Sequence, residues 1–327
     1  GPLGQGVANA GGMAMAARRQ RGLLDPDTPA GQSPFDHQIW CFASDGDIEE
    51  GISSEASSLA GTQQLGNLTL LYDSNHISIE DDTSIALSED VCKRYEAYGW
   101  HVQRVDWVKD DGTYEENVAA LAAAYDAALA ETARPSFIAL RTIIAWPAPN
   151  AQNTGKAHGS ALGAEEVART KELLGFDPQQ SFAVDPEVLA HARQVVERGR
   201  ALRAAWEEDF ARWAEANPQQ HALFDRMLTR RLPDGWADGL PDFPADDKGM
   251  ATRKASGKVL AAIADALPEL WGGSADLAES NNTAIEGEPS FLPEDRASKA
   301  FPGGPYGRTL HFGIREHAMG AVMNGIA

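Results

Sequence analysis

Between His37 and Ile144, short apolar runs alternate with stretches of helical character. The runs are HQIWCFA (His37–Ala43), NLTLLYDSN (Asn67–Asn75), WHVQRVD (Trp100–Asp106) and PSFIALRTII (Pro135–Ile144). A helical stretch ending at Leu65 separates the first two, and VAALAAAYDAALA (Val118–Ala130) separates the last two. Strands alternating with helices in this way build a parallel sheet covered by helices, so the expected class is α/β. At roughly 100–200 residues per domain, the chain has room for about two domains. Its 327 residues, 43% of them hydrophobic, suffice for a packed core.

Ahead of the first strand, GPLGQGVANAGGMAMAARRQ predicts a glycine-rich turn running into a helix of small residues. Such a helix can approach another backbone closely. The character changes at Asp185, a good N-cap followed by Pro186 at the first helical position. Val188, Ala192, Val195, Gly199, Leu202, Trp206, Phe210 and Trp213 then recur at three- and four-residue steps. This predicts one long amphipathic helix with a single apolar stripe, ended by Asn217-Pro218. Leu232–Gly249, rich in Pro, Gly and Asp, is expected to be a linker. A second α/β segment follows: the helix MATRKASGKVLAAIADAL, then ELWGGSADL as strand into loop, then TLHFGI and REHAMGAVMNGIA as strand into helix. The expected division is a first α/β domain over 1–180, a helical segment and linker over 181–249, and the beginning of a second α/β domain over 250–327.

With 28 basic against 48 acidic residues, the formal net charge is -20. That balance argues against nucleic acid or an anionic membrane as partner, since both require a basic face. A phosphorylated substrate needs only a local cluster of donors. Cys41 and Cys92 lack CxxC spacing, which points neither to zinc nor to a disulfide scaffold. No apolar run reaches the ~18 residues of a membrane-spanning helix, and no basic segment precedes the small residues near the start. A cytoplasmic location is expected.

The chemistry concentrates at strand ends. Asp45 lies just beyond the first strand and Asn75 just beyond the second, with one helical stretch between them. A right-handed crossover puts both on the same sheet edge, where open α/β sheets bind ligands. A carboxylate and an amide oxygen suit a hard cation such as Mg²⁺, which completes its shell with phosphate oxygens. Gly46 lets a diphosphate approach the backbone, and the helix N-terminus that follows adds N–H groups.

SDGDIEEGISSEASSLAGTQQLGNLTLLYDSNHISIE resembles the thiamine diphosphate motif of transketolases. GPLGQG, GKAHGSALG, ATRKASGK, GGSADLAESNNT and HFGIREHAMGAVMNGIA resemble further transketolase motifs in the same order, across essentially the whole chain. Ser44 stands where the family has the first glycine of GDG, a small change expected to fit. Family members begin upstream of GPLGQG and continue past the REHAMG helix. The resemblance therefore implies an internal portion, with a diphosphate-binding domain and the beginning of a pyrimidine-binding domain.

The resemblance implies a set of roles. Asp45, Asn75 and the Ile77 carbonyl would hold the cation, Mg²⁺ with Ca²⁺ as a substitute. Gly1, Leu3, Gly46 and Asp276 would lie against thiamine diphosphate. Glu316 would hydrogen-bond N1′ of the aminopyrimidine and favour the tautomer that activates the thiazolium. His158 would sit beside the diphosphate and the reacting end of the substrate. Glu50 would lie near a dimer interface linking two active sites, and Arg253 and Ser280 would bind the sugar phosphate. His76, His311 and His317 are expected to be structural or surface residues. The implied activity is transfer of a two-carbon unit from a ketose phosphate such as xylulose 5-phosphate to an aldose phosphate, in the pentose phosphate pathway. The implied assembly is a homodimer with active sites at the subunit interface. Two alternatives are another thiamine diphosphate enzyme, such as a deoxyxylulose-phosphate synthase, and a non-catalytic piece needing further segments. The first would share the Asp-Gly and Asn arrangement but not GPLGQG, AHGSALG and GGSADLA together.

Overall fold

The computed structural model describes residues 2–327; Gly1, expected against the cofactor, lies outside them. Helix α1 (Gln5–Leu24) leads to β1 (Ile39–Ser44), and two helices, α2 (Asp45–Glu49) and α3 (Gly51–Thr62), carry the chain to β2 (Leu68–Ser74). Then come α4 (Val91–Ala97), β3 (His101–Asp106), α5 (Val118–Ala130) and β4 (Ser136–Arg141). The four strands form a parallel sheet in the order β1-β2-β4-β3. All four expected strands form, trimmed at their ends. Where one helical stretch is expected between Asp45 and Asn75 there are two: the expected helix forms as α3, and the short α2 precedes it, separated by Glu50 in an extended conformation (φ -63, ψ 133).

Alternation along the strands sorts the core onto two faces. Ala43, Leu70, Tyr72 and Phe137 pack with α1, α3 and α4, and the Tyr95 and Phe137 rings stack 3.8 Å apart. Leu71, Val105, Ile138 and Leu140 pack under Ala124 and Ala128 of α5. The register pairs Ser44 with Asp73, so β1 and β2 end at the same height.

Beyond the sheet lie the short α6 (Gly155–Gly159), α7 (Ala164–Leu173) and the long α8 (Pro186–Ala216), whose N-cap Asp185 accepts from the Glu187 amide. The expected apolar stripe is buried only at its far end. Trp213 packs edge-on to Phe35 with centroids 4.6 Å apart, and Trp206 Nε1 donates to the Pro34 carbonyl at 2.8 Å. Val188, Val195 and Leu202 are 62, 57 and 73% exposed. The helix is long enough to outrun the surface it packs on, so its N-terminal half has no facing element among the described residues. Asn217-Pro218 does end α8, but a further helix, α9 (Pro218–Leu228), starts there at once.

No helix or strand occupies 232–249. Thereafter α10 (Thr252–Ala264), β5 (Gly272–Ser274), α11 (Ala278–Asn281), β6 (Ser290–Phe291), β7 (Gly303–Gly304), β8 (Thr309–His311) and α12 (Glu316–Ile326) build a second parallel sheet, ordered β5-β8-β6-β7. The two sheets are joined through α1, the predicted small-residue helix. A Cβ at Gly325 would stand 2.0 Å from the Asn9 carbonyl oxygen, so only glycine allows α12 this close to α1. Arg19, buried in α1, donates to the carbonyls of Tyr306 and Pro268 at 2.6 and 2.7 Å. Both cysteines are free thiols. Among the described residues, no helix is long and apolar enough to cross a membrane.

Candidate cation and diphosphate site

The site begins where β1 stops. Ser44 is extended (φ -103, ψ 178), a conformation any residue adopts, so a serine here costs no strain. Its amide and hydroxyl both donate to Asp47 Oδ2, at 3.0 and 2.9 Å, in a capping-box arrangement. The other Asp47 oxygen accepts the Gly4 amide at 2.9 Å and so pulls the first residues over the turn. Gly4 itself has φ 71, and a Cβ there would meet Ile52, Ser53 and Glu50 within 2.9 Å. Leu3 Cδ1 lies 3.2 Å from where a Cβ of Gly46 would be. Leu3, Gly46 and Glu50 are thus gathered at one turn.

Asp45 is only 2% exposed. Its Oδ1 accepts the Tyr72 hydroxyl at 2.6 Å. Its Oδ2 accepts the amides of Asn75 (3.2 Å) and His76 (3.1 Å). His76 has φ 65, the left-handed bend that lets two successive N–H groups face one oxygen. The Asn75 side-chain oxygen accepts the Ile77 amide at 2.9 Å, an Asx turn that swings Asn75 onto the sheet edge. A small hairpin follows, closed by Thr83 N to His76 O (2.9 Å) and Ser78 N to Asp81 O (2.8 Å). Among the described residues, nothing donates to the Ile77 carbonyl oxygen. Burial raises the Asp45 pKa, opposed by the Tyr72 hydrogen bond and by the two amides. Burial, and then the Asp45 charge, push the Tyr72 phenol up, so it remains a donor.

A carboxylate offers about four lone-pair positions and an amide oxygen two. Asp45 spends three, leaving one on Oδ1. Asn75 spends one of its two, and the Ile77 carbonyl is free. Three oxygens with unspent acceptor capacity, only one of them anionic, fit a hard cation whose remaining ligands come from phosphate and water. No cluster of three His, Cys, Asp or Glu side chains offers an alternative metal site among the described residues.

The other expected residues lie around this core. His158 is exposed at the end of α6. That short helix rests on the hairpin: a Cβ at Gly155 would be 3.1 Å from Asp81 Cα and the Ile79 carbonyl. Asp276, exposed with φ 61, follows β5 on the second sheet. Arg253 and Ser280 are exposed on α10 and α11, which meet where Gly257 faces Asn282 (2.7 Å from a built Cβ). Glu316 is exposed at the first position of α12. No hydrogen bond among the described residues joins Glu316, His158, Arg253, Ser280 or Asp276 to Asp45.

Comparison with known proteins bears on this arrangement. The family model described as "Transketolase, thiamine diphosphate binding domain" matches residues 1–233, and "Transketolase, pyrimidine binding domain" matches 248–327. The chain belongs to the transketolase family. A transketolase of Mycobacterium tuberculosis is 57% identical over 326 residues, covering 100% of this chain and 46% of its own length. One from Geobacillus stearothermophilus is 43% identical over 328 residues, with the same coverage. A crystal structure of Pichia stipitis transketolase with sedoheptulose 7-phosphate superposes with a TM-score of 0.89 at 41% identity, covering 100% of this chain and 46% of that one. Transketolase from Leishmania mexicana gives 0.88 at 37% identity, with the same coverage. The chain thus spans about half the length of the transketolases it matches.

Sequence reasoning missed several members of this transketolase-family site. Tyr72 reads as one more apolar strand residue; its position three before Asn75, on a strand neighbouring Asp45, is the signal that could have found it. Asp47, three residues after Ser44, is a capping-box spacing. Glu55 carried no signal at all: its Oε2 accepts the Ala318 amide at 2.9 Å, and nearby Arg315 Nη2 donates to Ser58 Oγ at 2.9 Å. Those links between α3 and the start of α12 arise only from tertiary packing. His76, expected to be a structural or surface residue, is exposed, and its backbone amide serves the Asp45 carboxylate.

Proposed function

We propose that this chain carries the cofactor-binding part of a transketolase, which moves a two-carbon unit from a ketose phosphate such as xylulose 5-phosphate to an aldose phosphate. The observation that carries the reading is the buried Asp45 carboxylate, which keeps one acceptor position unspent while its other oxygen accepts the amides of Asn75 and His76 at the end of β2. Crystal structures of Pichia stipitis transketolase and its variants in complex with xylulose 5-phosphate, sedoheptulose 7-phosphate and fructose 6-phosphate support a sugar phosphate substrate.

In this reading Asp45, Asn75 and Ile77 hold Mg²⁺, or Ca²⁺ in its place, and Gly46 leaves room for the diphosphate. Leu3 and Asp276 lie against thiamine diphosphate, as does Gly1, two residues before Leu3 in the chain. When bound, the cofactor supplies the carbon centre that accepts and passes on the two-carbon unit. Glu316 hydrogen-bonds the aminopyrimidine and so directs proton movement there. Its exposure at the start of α12 leaves it free to face a second copy of the chain, in keeping with a homodimer whose sites are shared between subunits. Glu50, exposed at the break between α2 and α3, belongs to the same interface. His158 faces the reacting end of the substrate, and Arg253 and Ser280 grip its phosphate, a task suited to a guanidinium fork. The division at 180 and 249 separates a diphosphate-binding unit from a pyrimidine-binding one, and the work belongs to the cytoplasmic pentose phosphate pathway.

Calorimetric titration of the 327-residue chain with thiamine diphosphate tests this, with Mg²⁺ and with a chelator. Binding should need the cation, vanish in Asp45→Ala and persist in Glu316→Ala. Equal binding in the chelator would contradict the reading.

A further inference from the structure

Residues 250–327 are attached to the rest of the molecule in two very different ways. Covalently they hang on 232–249, which is exposed along most of its length. Among the described residues, the hydrogen bonds of that segment close within it as local turns, such as Trp236 N to Pro233 O, Asp238 N to Gly235 O and Gly249 N to Asp246 O. Non-covalently the same residues share one hydrophobic core with the first sheet. Met15, Ile52 and Phe137 belong to the same buried cluster as Phe291, Leu310 and Val322.

Helix α1 is the centre of that contact. Gly12 and Gly325 bring the backbones of α1 and α12 together, and a side chain at either position would strike a main-chain oxygen. The Arg18 guanidinium lies 4.3 Å from the centre of the Phe291 ring. Around this apolar centre runs a polar rim. Arg226 of α9 grips Glu269 with two hydrogen bonds, at 2.5 and 2.7 Å. Arg315 reaches Ser58, and Glu55 accepts the Ala318 amide. An apolar centre with a polar rim is how permanently associated subunits recognise each other.

We propose that 250–327 is held by α1 and its neighbours as a bound partner would be, and that 232–249 is only a tether: cut there, the chain stays together as a two-piece assembly. Apolar burial depends on the area removed from water and not on chain continuity. A tether adds effective concentration, which changes slowly with its length. The relative placement of Asp45 and Glu316, one on each piece, is then set by the contact between α1 and α12. This inference stands on the interface alone and does not depend on what the cation site binds.

The test uses the full chain with a protease recognition sequence inserted after Asp242, in an exposed stretch without helix or strand. After folding and complete cleavage, size-exclusion chromatography at low micromolar concentration should show both pieces eluting together at the size of the intact chain. Release of the 243–327 piece under native conditions would overturn the proposal. Gly325→Val, which sets a branched side chain against the Asn9 carbonyl, should weaken retention of the cut piece about tenfold or more. Gly199→Ala, remote from the contact, should leave retention unchanged. Unchanged retention in Gly325→Val would also overturn it. A second measurement needs neither cleavage nor a core variant. Doubling 232–249 with Gly and Ser residues should shift the unfolding equilibrium of the intact chain by only about threefold. A shift of about a hundredfold would show that the segment does more than tether, and the proposal would fail.

Discussion

Gly12 of α1 and Val322 of α12 meet backbone to backbone: a Cβ built on Gly12 would stand 2.1 Å from the Val322 carbonyl oxygen. The contact ties the helix ahead of the first sheet to the helix that begins at Glu316. Alanine is the better helix former by about 1 kcal/mol, so Gly12→Ala would stabilise α1 in isolation. In the folded chain the obstacle is backbone, which cannot turn aside, and overpacking of this kind costs about 1–3 kcal/mol. We expect Gly12→Ala to lower the urea midpoint. Gly199→Ala, in exposed α8 with nothing within 4 Å of the new Cβ, should raise it, for a gain in stability of up to about 1 kcal/mol. Equal effects of the two substitutions would refute this account of the α1–α12 junction.

Helix α8 provides a test of where its apolar stripe does its work. Trp213 sits among Phe35, Phe210 and Phe224, and Leu202 is 73% exposed. Trp213→Ala should cost about 3–5 kcal/mol, and Leu202→Ser should stay within about 0.5 kcal/mol. Chemical denaturation of both variants checks this; a Leu202→Ser loss as large as that of Trp213→Ala would show that the N-terminal half is packed.

The Glu166 carboxylate accepts the Asn150 amide (2.6 Å), the Asn150 side-chain amide (2.8 Å) and the Ala151 amide (2.9 Å), anchoring the turn that leads to His158. The Asn150 side chain first, and then its backbone amide, hold the Glu166 pKa below the ordinary carboxylate value. A depressed acid contributes stability that is present above the unfolded pKa, about 4.3, and is lost as pH falls through the folded one. Amide exchange in the 150–158 turn should therefore accelerate in wild type as pH is lowered through the acid range, after correction for intrinsic rates. Glu166→Gln should show fast exchange throughout with no such pH step. A step that survives in Glu166→Gln would assign the effect to another group.

Much of this is legible in the sequence alone. The short apolar runs and the helix at Val118–Ala130 are local patterns, and local patterns survive folding. Asp45 and Asn75 could be paired because parallel strands joined by a crossover helix end at the same edge of the sheet. The break at Glu50 was not legible, because extended backbone between two helix-compatible stretches leaves no compositional trace. Nor was the exposure of Val188, Val195 and Leu202, since periodicity reports that a face is apolar and says nothing of whether a partner lies against it. Tyr72 was hidden by its chemistry: a phenol buried in a strand looks the same in sequence whether its hydroxyl is idle or holds a metal ligand.

The central claim is that Asp45, Asn75 and Ile77 share one cation. Anomalous diffraction from crystals grown with Mn²⁺ and thiamine diphosphate tests it most directly. The account predicts a single anomalous peak at about 2.0–2.3 Å from one Asp45 oxygen, the Asn75 side-chain oxygen and the Ile77 carbonyl. A peak that lies elsewhere, or one bound by Asp45 without Asn75, would contradict it.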